Sequence, residues 1–299
     1  MNLLSAGIPL ALQTLVTGLA IGGIYALMAV GYSLIFSILN FSNFAYGMVI
    51  MLASFLGYFA MSLLHVGLGA ALFIAMLWAA LLSVLNERAA YAPLRKRNAP
   101  PLYFMISAMG ASIFLENLVY ATIGSQYNAY PQIFAVPTVT VLGASLGKMD
   151  LLAILFSVVA ILGLDRFIHK TRTGIAIRAA SYDFQVAELN GVNLNRTIGL
   201  VFALAGLFAG ISGVFLGIKY MAYPSMGWIT NKAYVAAVIG GLGSLSGAVA
   251  GGILLGVLES FVSVYISSTL RDVFSFGALI VFLVLRPSGL FGQLLEEKV

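Results

Sequence analysis

The first 86 residues contain no Asp, Glu, Lys or Arg. A stretch that long without a charge cannot form the surface of a water-soluble domain, where about a quarter of the residues are charged. It is long enough for about three bilayer crossings at ~20 residues each. The rest of the chain follows suit. Of its 299 residues, 61% are hydrophobic and 8% charged, with a mean hydropathy of +1.04. Polar groups this scarce cannot cover a globule, so most of the surface must face lipid. The chain reads as an integral membrane protein.

The apolar runs are continuous, whereas a barrel would show ~10-residue segments of alternating character. The expected fold is therefore all-α: a polytopic transmembrane bundle of about eight spans within one transmembrane domain covering 1–299. The spans are read at 8–39, 44–64, 67–86, 102–123, 150–168, 197–218, 247–266 and 272–285. The first is too long for one upright crossing, and Gly22–Gly23 could break it. It is either one tilted helix or a helix plus a half-helix. Residues 233–245 are apolar, short and end in GGLGSLSG, which suits a short or discontinuous span.

The net charge of +5 sits in a few loops rather than along a basic helix. That distribution is the positive-inside pattern and carries no nucleic-acid signal. Residues 87–101 (with Arg88, Arg95, Lys96 and Arg97) and 166–196 (with Arg166, Lys170, Arg172, Arg178 and Arg196) should be cytoplasmic. The cation-poor segment 124–148 should face outside, and the tail after Arg286 is cytoplasmic if 233–245 crosses. There are no cysteines, which removes disulfides and thiolate metal sites. The opening MNLLSAGIPLALQ lacks a cationic n-region and reads as part of the mature protein. Small residues four apart recur at Gly18/Gly22, Gly206/Gly210, Gly213/Gly217, Gly247/Gly251 and Gly252/Gly256. They suit close helix packing, either inside one bundle or at a subunit interface.

The charged stretch at 174–196 stands apart from its oily surroundings. Ala179, Ala180, Val186, Ala187 and Leu189 favour a helix, which Gly191 then stops. Asp183 and Glu188 can pair with Arg178 or with cations on a partner. A short cytoplasmic helix, small on one side, suits another protein's groove. The plainer alternative, a helix lying on lipid headgroups, calls for an aromatic or leucine face opposite a basic one.

Polar groups within the spans are the candidate path residues. Glu116 and Glu259 lie deep in apolar runs, where a carboxylate must face the bundle interior with a partner or be neutral. Each either lines the translocation path or locks helices together, Glu259 having Ser260 and Ser263 as neighbours. Asn40, Asn43 and Tyr46 cluster after the first span. They fit either irregular backbone lining a cavity or an interfacial loop with an aromatic anchor. His65 and His169 have no companions for a metal, no catalytic motif occurs, and no cofactor is expected.

Several blocks carry a resemblance. Gln185-Val186-Ala187, three residues and then Gly191 look like a relaxed form of the EAA-x-x-x-G loop of ATP-binding-cassette (ABC) importer permeases. The run GIAIRAASYDFQVAELNGVNLNRTI is similar to that loop in the branched-chain amino acid permease family. In order along the chain, GGIYALMAVGYSLIFSILNFSNFAYG, ERAAYAPLR, KAYVAAVIGGLGSLSGAVAGGILLGVLES and RPSGLFG resemble further blocks of that family. At the end of the first block the chain has Tyr46-Gly47-Met48 where the family has a His-Gly-Glu-like triplet.

The resemblance implies a non-enzymatic, multi-pass permease subunit of an ATP-driven importer in a prokaryotic plasma (inner) membrane. It would carry branched-chain amino acids or similar small polar solutes. Its implied partners are a paralogous permease, cytoplasmic ABC ATPases and an extracytoplasmic solute-binding protein. Residues from about Ala179 to Gly191, within a loop at about 169–196, would then be the coupling helix. Arg178, Asp183 and Glu188 would be its charges, and Ala187 would pack into the ATPase. No Walker A sequence occurs, so ATP would be hydrolysed on another chain. The competing reading is a secondary transporter or channel driven through Glu116 or Glu259, which would have no use for a docking element.

The orientation is testable directly, because an introduced cysteine meets no native thiol. Cysteines at Asn98 and Thr173 should react with an impermeant reagent only from the cytoplasm, and one at Asn128 only from outside. Reaction at Asn128 from the cytoplasm would reverse the topology.

Overall fold

A helix that starts in lipid has every reason to continue, since each interrupted turn leaves backbone groups unsatisfied. The computed structural model, which describes residues 3–141 and 144–291, shows the consequence in α1 (Leu3–Leu39). This helix runs unbroken through Gly22 and Gly23 and ends at Asn40, whose φ of 50° is left-handed. Asparagine tolerates that conformation better than most side chains. α2 (Tyr46–Ser62) and α3 (Leu68–Asn86) follow. α3 passes through a π-helical turn (Glu87–Tyr91) into α4 (Ala92–Lys96). α5 (Pro101–Thr122) starts on a proline, whose missing N–H costs nothing at a helix N-terminus.

The segment at 124–148 contains an element the sequence pattern did not announce. β1 (Thr138–Val141) and β2 (Ala144–Gly147) form an antiparallel hairpin with Thr138 opposite Gly147 and Thr140 opposite Ser145. α6 (Lys148–Lys170), α7 (Arg172–Tyr182), α8 (Phe184–Leu189) and α9 (Leu194–Tyr220) come next. A 3-10 segment (Pro224–Thr230) leads into the short α10 (Asn231–Gly240). α11 (Leu245–Tyr265) and α12 (Arg271–Leu285) complete the described chain. Among the described residues six helical stretches are long and apolar enough to cross a membrane: Pro9–Leu39, Leu68–Lys96, Pro101–Thr122, Lys148–Lys170, Leu194–Tyr220 and Leu245–Tyr265. Tyr46–Ser62 is a shorter apolar helix. The architecture is thus a polytopic helical bundle, for which about eight spans is an approximate count.

The chain forms two compact units, interleaved in sequence. The first comprises 1–29, 132–159 and 232–299. Within it α1 and α11 touch backbone to backbone: a Cβ on Gly256 would overlap the backbone of Gly22, and one on Gly252 that of Ala26. α10 and α11 form a tight hairpin, with Gly247 against Gly240 and Gly251 against Ala236. The carbonyls at the end of α10 would be orphans. The chain after α12 supplies their partners: Leu290 N–H donates to Ile239 O and Phe291 N–H to Gly240 O, both at 2.9 Å. This part of the RPSGLFG block therefore caps a discontinuous helix, and only its last residue, Gly292, lies outside the described residues.

The second unit comprises 30–131 and 160–231, with α9 at its centre. Gly206 and Gly210 of α9 lie against Ala79, Ala80 and Met76 of α3. Gly213 and Gly217 lie against Ile50, Ala53 and Ser54 of α2. Tyr130, from the long loop, enters the same contact and donates its hydroxyl to Ser54 O at 2.5 Å. Burial pushes the Tyr130 phenol well above the usual tyrosine range. All five small-residue pairs thus pack against helices of the same chain.

Gly256→Val should separate α1 from α11 and cost about 1–3 kcal/mol or more, as overpacking does. Gly163→Ala, with no atom within 4 Å of the added carbon, should be neutral. Thermal unfolding of the purified chain in detergent compares the two.

Candidate functional site

Start with the charged stretch. Thr171 caps α7 by accepting from Gly174 N–H at 3.0 Å. The expected uninterrupted helix from Ala179 to Gly191 does not form. Asp183 is extended (φ −159°, ψ 119°), ends α7, and starts α8 by accepting from the N–H groups of Gln185 and Val186 at 2.8 and 3.0 Å. An Asp carboxylate competes with helical carbonyls for backbone donors, so it favours a cap over a mid-helix position. Its charge is used locally: among the described residues neither Asp183 nor Glu188 forms an ion pair with the exposed Arg178. Gly191 (φ 83°) closes α8, and Asn193 caps α9 by accepting from Arg196 N–H at 3.1 Å.

The exposure pattern also departs from expectation. Ala187 is 2% exposed and turned into its own chain, while Ala179 is half-buried. The residues left outward are Tyr182 and Leu189, 85% and 87% exposed, with Val186 between them. Alternating small and large residues in a short helix do not reveal which side meets the protein, because that depends on how α8 docks on α9.

Next to the start of α9 lies a polar network that the sequence reading treated only as loop charge. The π-helical turn buries Glu87, 1% exposed, against Arg95, whose Nη1 donates to Oε1 at 2.7 Å. Arg95 Nη2 also donates to Asn195 Oδ1 at 2.9 Å, tying this loop to the first turn of α9. π-Turns concentrate at functional positions because they re-aim side chains. Here the turn sends Tyr91 inward among Phe41, Phe104 and Phe202, and its hydroxyl donates to Asn43 Oδ1 at 2.7 Å. Asn43 Oδ1 also accepts from Ala45 N–H at 3.1 Å. Tyr46 is buried, donates to Ala205 O at 3.1 Å, and stands where a side chain on Gly31 would be. Asn40 is exposed. The one signal for Glu87 was its position as the first acid after 86 uncharged residues.

The first unit holds a second buried carboxylate. Glu259 is fully buried and among the described residues takes three donors, none of them the neighbouring Ser260 or Ser263. Tyr25 of α1 donates to Oε2 at 2.9 Å, Ser275 of α12 to Oε1 at 2.5 Å, and Lys232 of α10 reaches Oε1 at 2.8 Å. Lys232 also pairs with Asp272 at 2.8 Å, and Arg271 Nε lies 3.7 Å from Glu259 Oε2. One carboxylate therefore binds four helices. Lys232 and Arg271 escaped the sequence reading because each sits at the edge of an apolar run. Glu116 is different: half-buried on the outward-facing α5, it has no hydrogen bond or ion pair among the described residues. No group of three or more His, Cys, Asp or Glu converges on a metal position among them either.

Comparison with known proteins follows the whole length of this arrangement. Residues 14–283 match the family described as branched-chain amino acid transport system, permease component. The high-affinity branched-chain amino acid permease BraD of Pseudomonas aeruginosa is 37% identical, over 96% of this chain and 98% of its own. The corresponding protein LivH of Salmonella typhimurium is 38% identical, over 96% and 97%. LivH of Escherichia coli is 37% identical over the same shares. No solved structure matches the chain.

Removing one member of a buried ion pair leaves an uncompensated charge, at a cost of about 3–5 kcal/mol. Lys232→Met should therefore sharply lower the yield of folded protein. Lys232→Met combined with Glu259→Gln should recover much of it. Size-exclusion yield and melting temperature of the two variants decide whether Glu259 holds the helices through charge.

Proposed function

The chain belongs to the branched-chain amino acid transport permease family, and on that premise we propose how it works as the membrane subunit of an ATP-driven importer. The observation that carries the reading is full-length similarity, 37–38% identity over 96% of the chain, to permeases of high-affinity branched-chain amino acid transport. The protein is a multi-pass transport subunit, and permeases of this kind act with ATPases and binding proteins. In the proposed assembly a paralogous permease completes the pore in a prokaryotic inner membrane. Cytoplasmic ABC subunits hydrolyse ATP, and an external binding protein delivers the solute. No cofactor is required.

Coupling in this proposal runs through α7 and α8. Tyr182, Val186 and Leu189 form the docking face, because they are the large apolar side chains left outward on a charged segment. Ala187 holds α8 against the chain instead of entering the ATPase, and Arg178, Ala179 and Glu188 flank the contact. Displacement of α8 passes through Gly191 and the Asn193 cap to α9. Backbone contacts with α2 and α3 make α9 move them too. The Arg95–Asn195 bond carries the same movement to the π-helical turn.

For the solute path, a half-exposed carboxylate without a partner among the described residues is costly in hydrocarbon, which supports hydration at Glu116. In this proposal Asn40 stands at a mouth of the path and Asn43 and Tyr46 hold the wall in the second unit, while Glu259 holds the helices of the first.

Leu189→Asp and Tyr182→Ala test the docking face. Loss of an interface anchor costs about 2 kcal/mol or more, so ATPase recovered with the permease should fall at least ~10-fold. Labelled leucine uptake by proteoliposomes should fall with it, while insertion is unchanged. Glu116→Gln in the same preparation should alter uptake and leave recovery intact. Full recovery and uptake in the docking variants would discard the coupling assignment, and absent ATP-dependent leucine uptake by the parent complex would discard the importer reading.

A further inference from the structure

Arg95 reaches two acceptors with one guanidinium. Its Nη1 donates to Glu87 Oε1 at 2.7 Å, and its Nη2 donates to Asn195 Oδ1 at 2.9 Å. Both acceptors belong to the second unit but come from different elements. Glu87 opens the π-helical turn, and Asn195 lies in the first turn of α9, just past the proposed coupling segment.

The two bonds are unequal. Glu87 is buried, so parting it from Arg95 would strand a charge away from water. The Asn195 bond is exposed and ends on a neutral amide, where water can replace the lost partner. A displacement of α9 therefore breaks the Asn195 bond first and leaves the Glu87 pair intact.

A second observation shows where the freed arm can go. Glu87 Oε2 is buried and has no hydrogen-bond partner among the described residues. Arg88 Nε stands 3.7 Å from it, beyond hydrogen-bond distance, on an exposed side chain. A buried carboxylate oxygen without a donor is costly and calls for an explanation. The missing donor is close at hand, since guanidinium and carboxylate pair best when two parallel N–H groups meet both oxygens. In this structure Arg95 gives its second arm to Asn195 instead.

We propose that Arg95 is a two-position latch on the transport cycle, an inference that rests on the coupling role given above to α8 and α9. Latched, it bridges Glu87 and Asn195 and holds the start of α9 to the π-helical turn. Released, it leaves Asn195 and places both arms on Glu87, so α9 moves away without stranding the buried charge. Small displacements pass through the bond to the turn, and larger ones open it. The two positions are close in energy because one hydrogen bond is exchanged for another, as a switch between discrete arrangements requires. Arg95 is a positioning residue and touches no solute.

Spin labels at Lys96→Cys and Arg196→Cys, exposed neighbours of the latch in a chain without native cysteine, report the separation of α4 from α9 in the purified complete transporter. Without nucleotide the parent should show one short separation, and ATP with vanadate should add a longer one. Asn195→Ala removes one hydrogen bond, so it should favour the released position by about 3- to 10-fold and show the longer separation without nucleotide. Asn195→Asp offers a charged acceptor and should hold the short separation with nucleotide present. ATP hydrolysis without binding protein should rise in Asn195→Ala and fall below the parent in Asn195→Asp. ATP consumed per leucine carried should rise only in Asn195→Ala. A bond that merely stiffens the fold would lower the melting temperature of Asn195→Ala and leave that ratio unchanged, which would overturn the latch. Equal separations in the two variants would overturn it as well, as would a single separation with ATP and vanadate in a parent that carries leucine. If the parent carries no leucine, the importer reading fails instead, and the separations in the two Asn195 variants alone decide the latch.

Discussion

Hydrocarbon does not reward two apolar helices for coming together, since lipid tails are as apolar as leucine. Association in this chain depends instead on how closely backbones approach. The five glycine pairs are spent on that requirement: α1 against α11, α11 against α10, and α9 against both α2 and α3. The same need explains why Gly22 and Gly23 do not break α1. A helix break would leave unsatisfied backbone groups in lipid, whereas the missing side chain at Gly22 lets α11 come to contact distance.

Polar groups then fill the role that direct backbone contact cannot. Among the described residues each unit contains one carboxylate almost wholly removed from solvent, Glu259 or Glu87, and each is paired with cations close in space. Burial makes such a pair weak evidence for net stability but a strong constraint on arrangement, because any other arrangement strands a charge. Around Glu259 the constraint gathers α1, α10, α11 and α12. Around Glu87 it joins the π-helical turn to the first turn of α9, directly after the segment proposed to meet the ATPase. Structural charge and proposed function therefore lie side by side in the second unit. Arg271 stands 3.7 Å from Glu259 within its cluster, and Arg95 is held by Glu87 and bonds the moving helix.

Much of this was legible beforehand. The uncharged first 86 residues and the continuous apolar runs determined a polytopic helical membrane protein, since no other solvent accommodates such a composition. The spacing of glycines marked the packing faces, and the blocks around Gly191, Glu87 and Gly240 marked the family. These properties are local or compositional, so one dimension suffices to display them. What only the tertiary structure decided is which groups meet across long separations. Asp183 became a cap rather than a helical charge once α8 docked separately from α7, and Ala187 turned inward while Tyr182 and Leu189 turned outward. Lys232, at the edge of an apolar run, and Tyr25, in the middle of one, became partners of Glu259, the tyrosine 234 positions away from it. Sequence displays the need of a buried carboxylate for a partner; the choice of partner follows from helix packing, which sets the distances over which charges act.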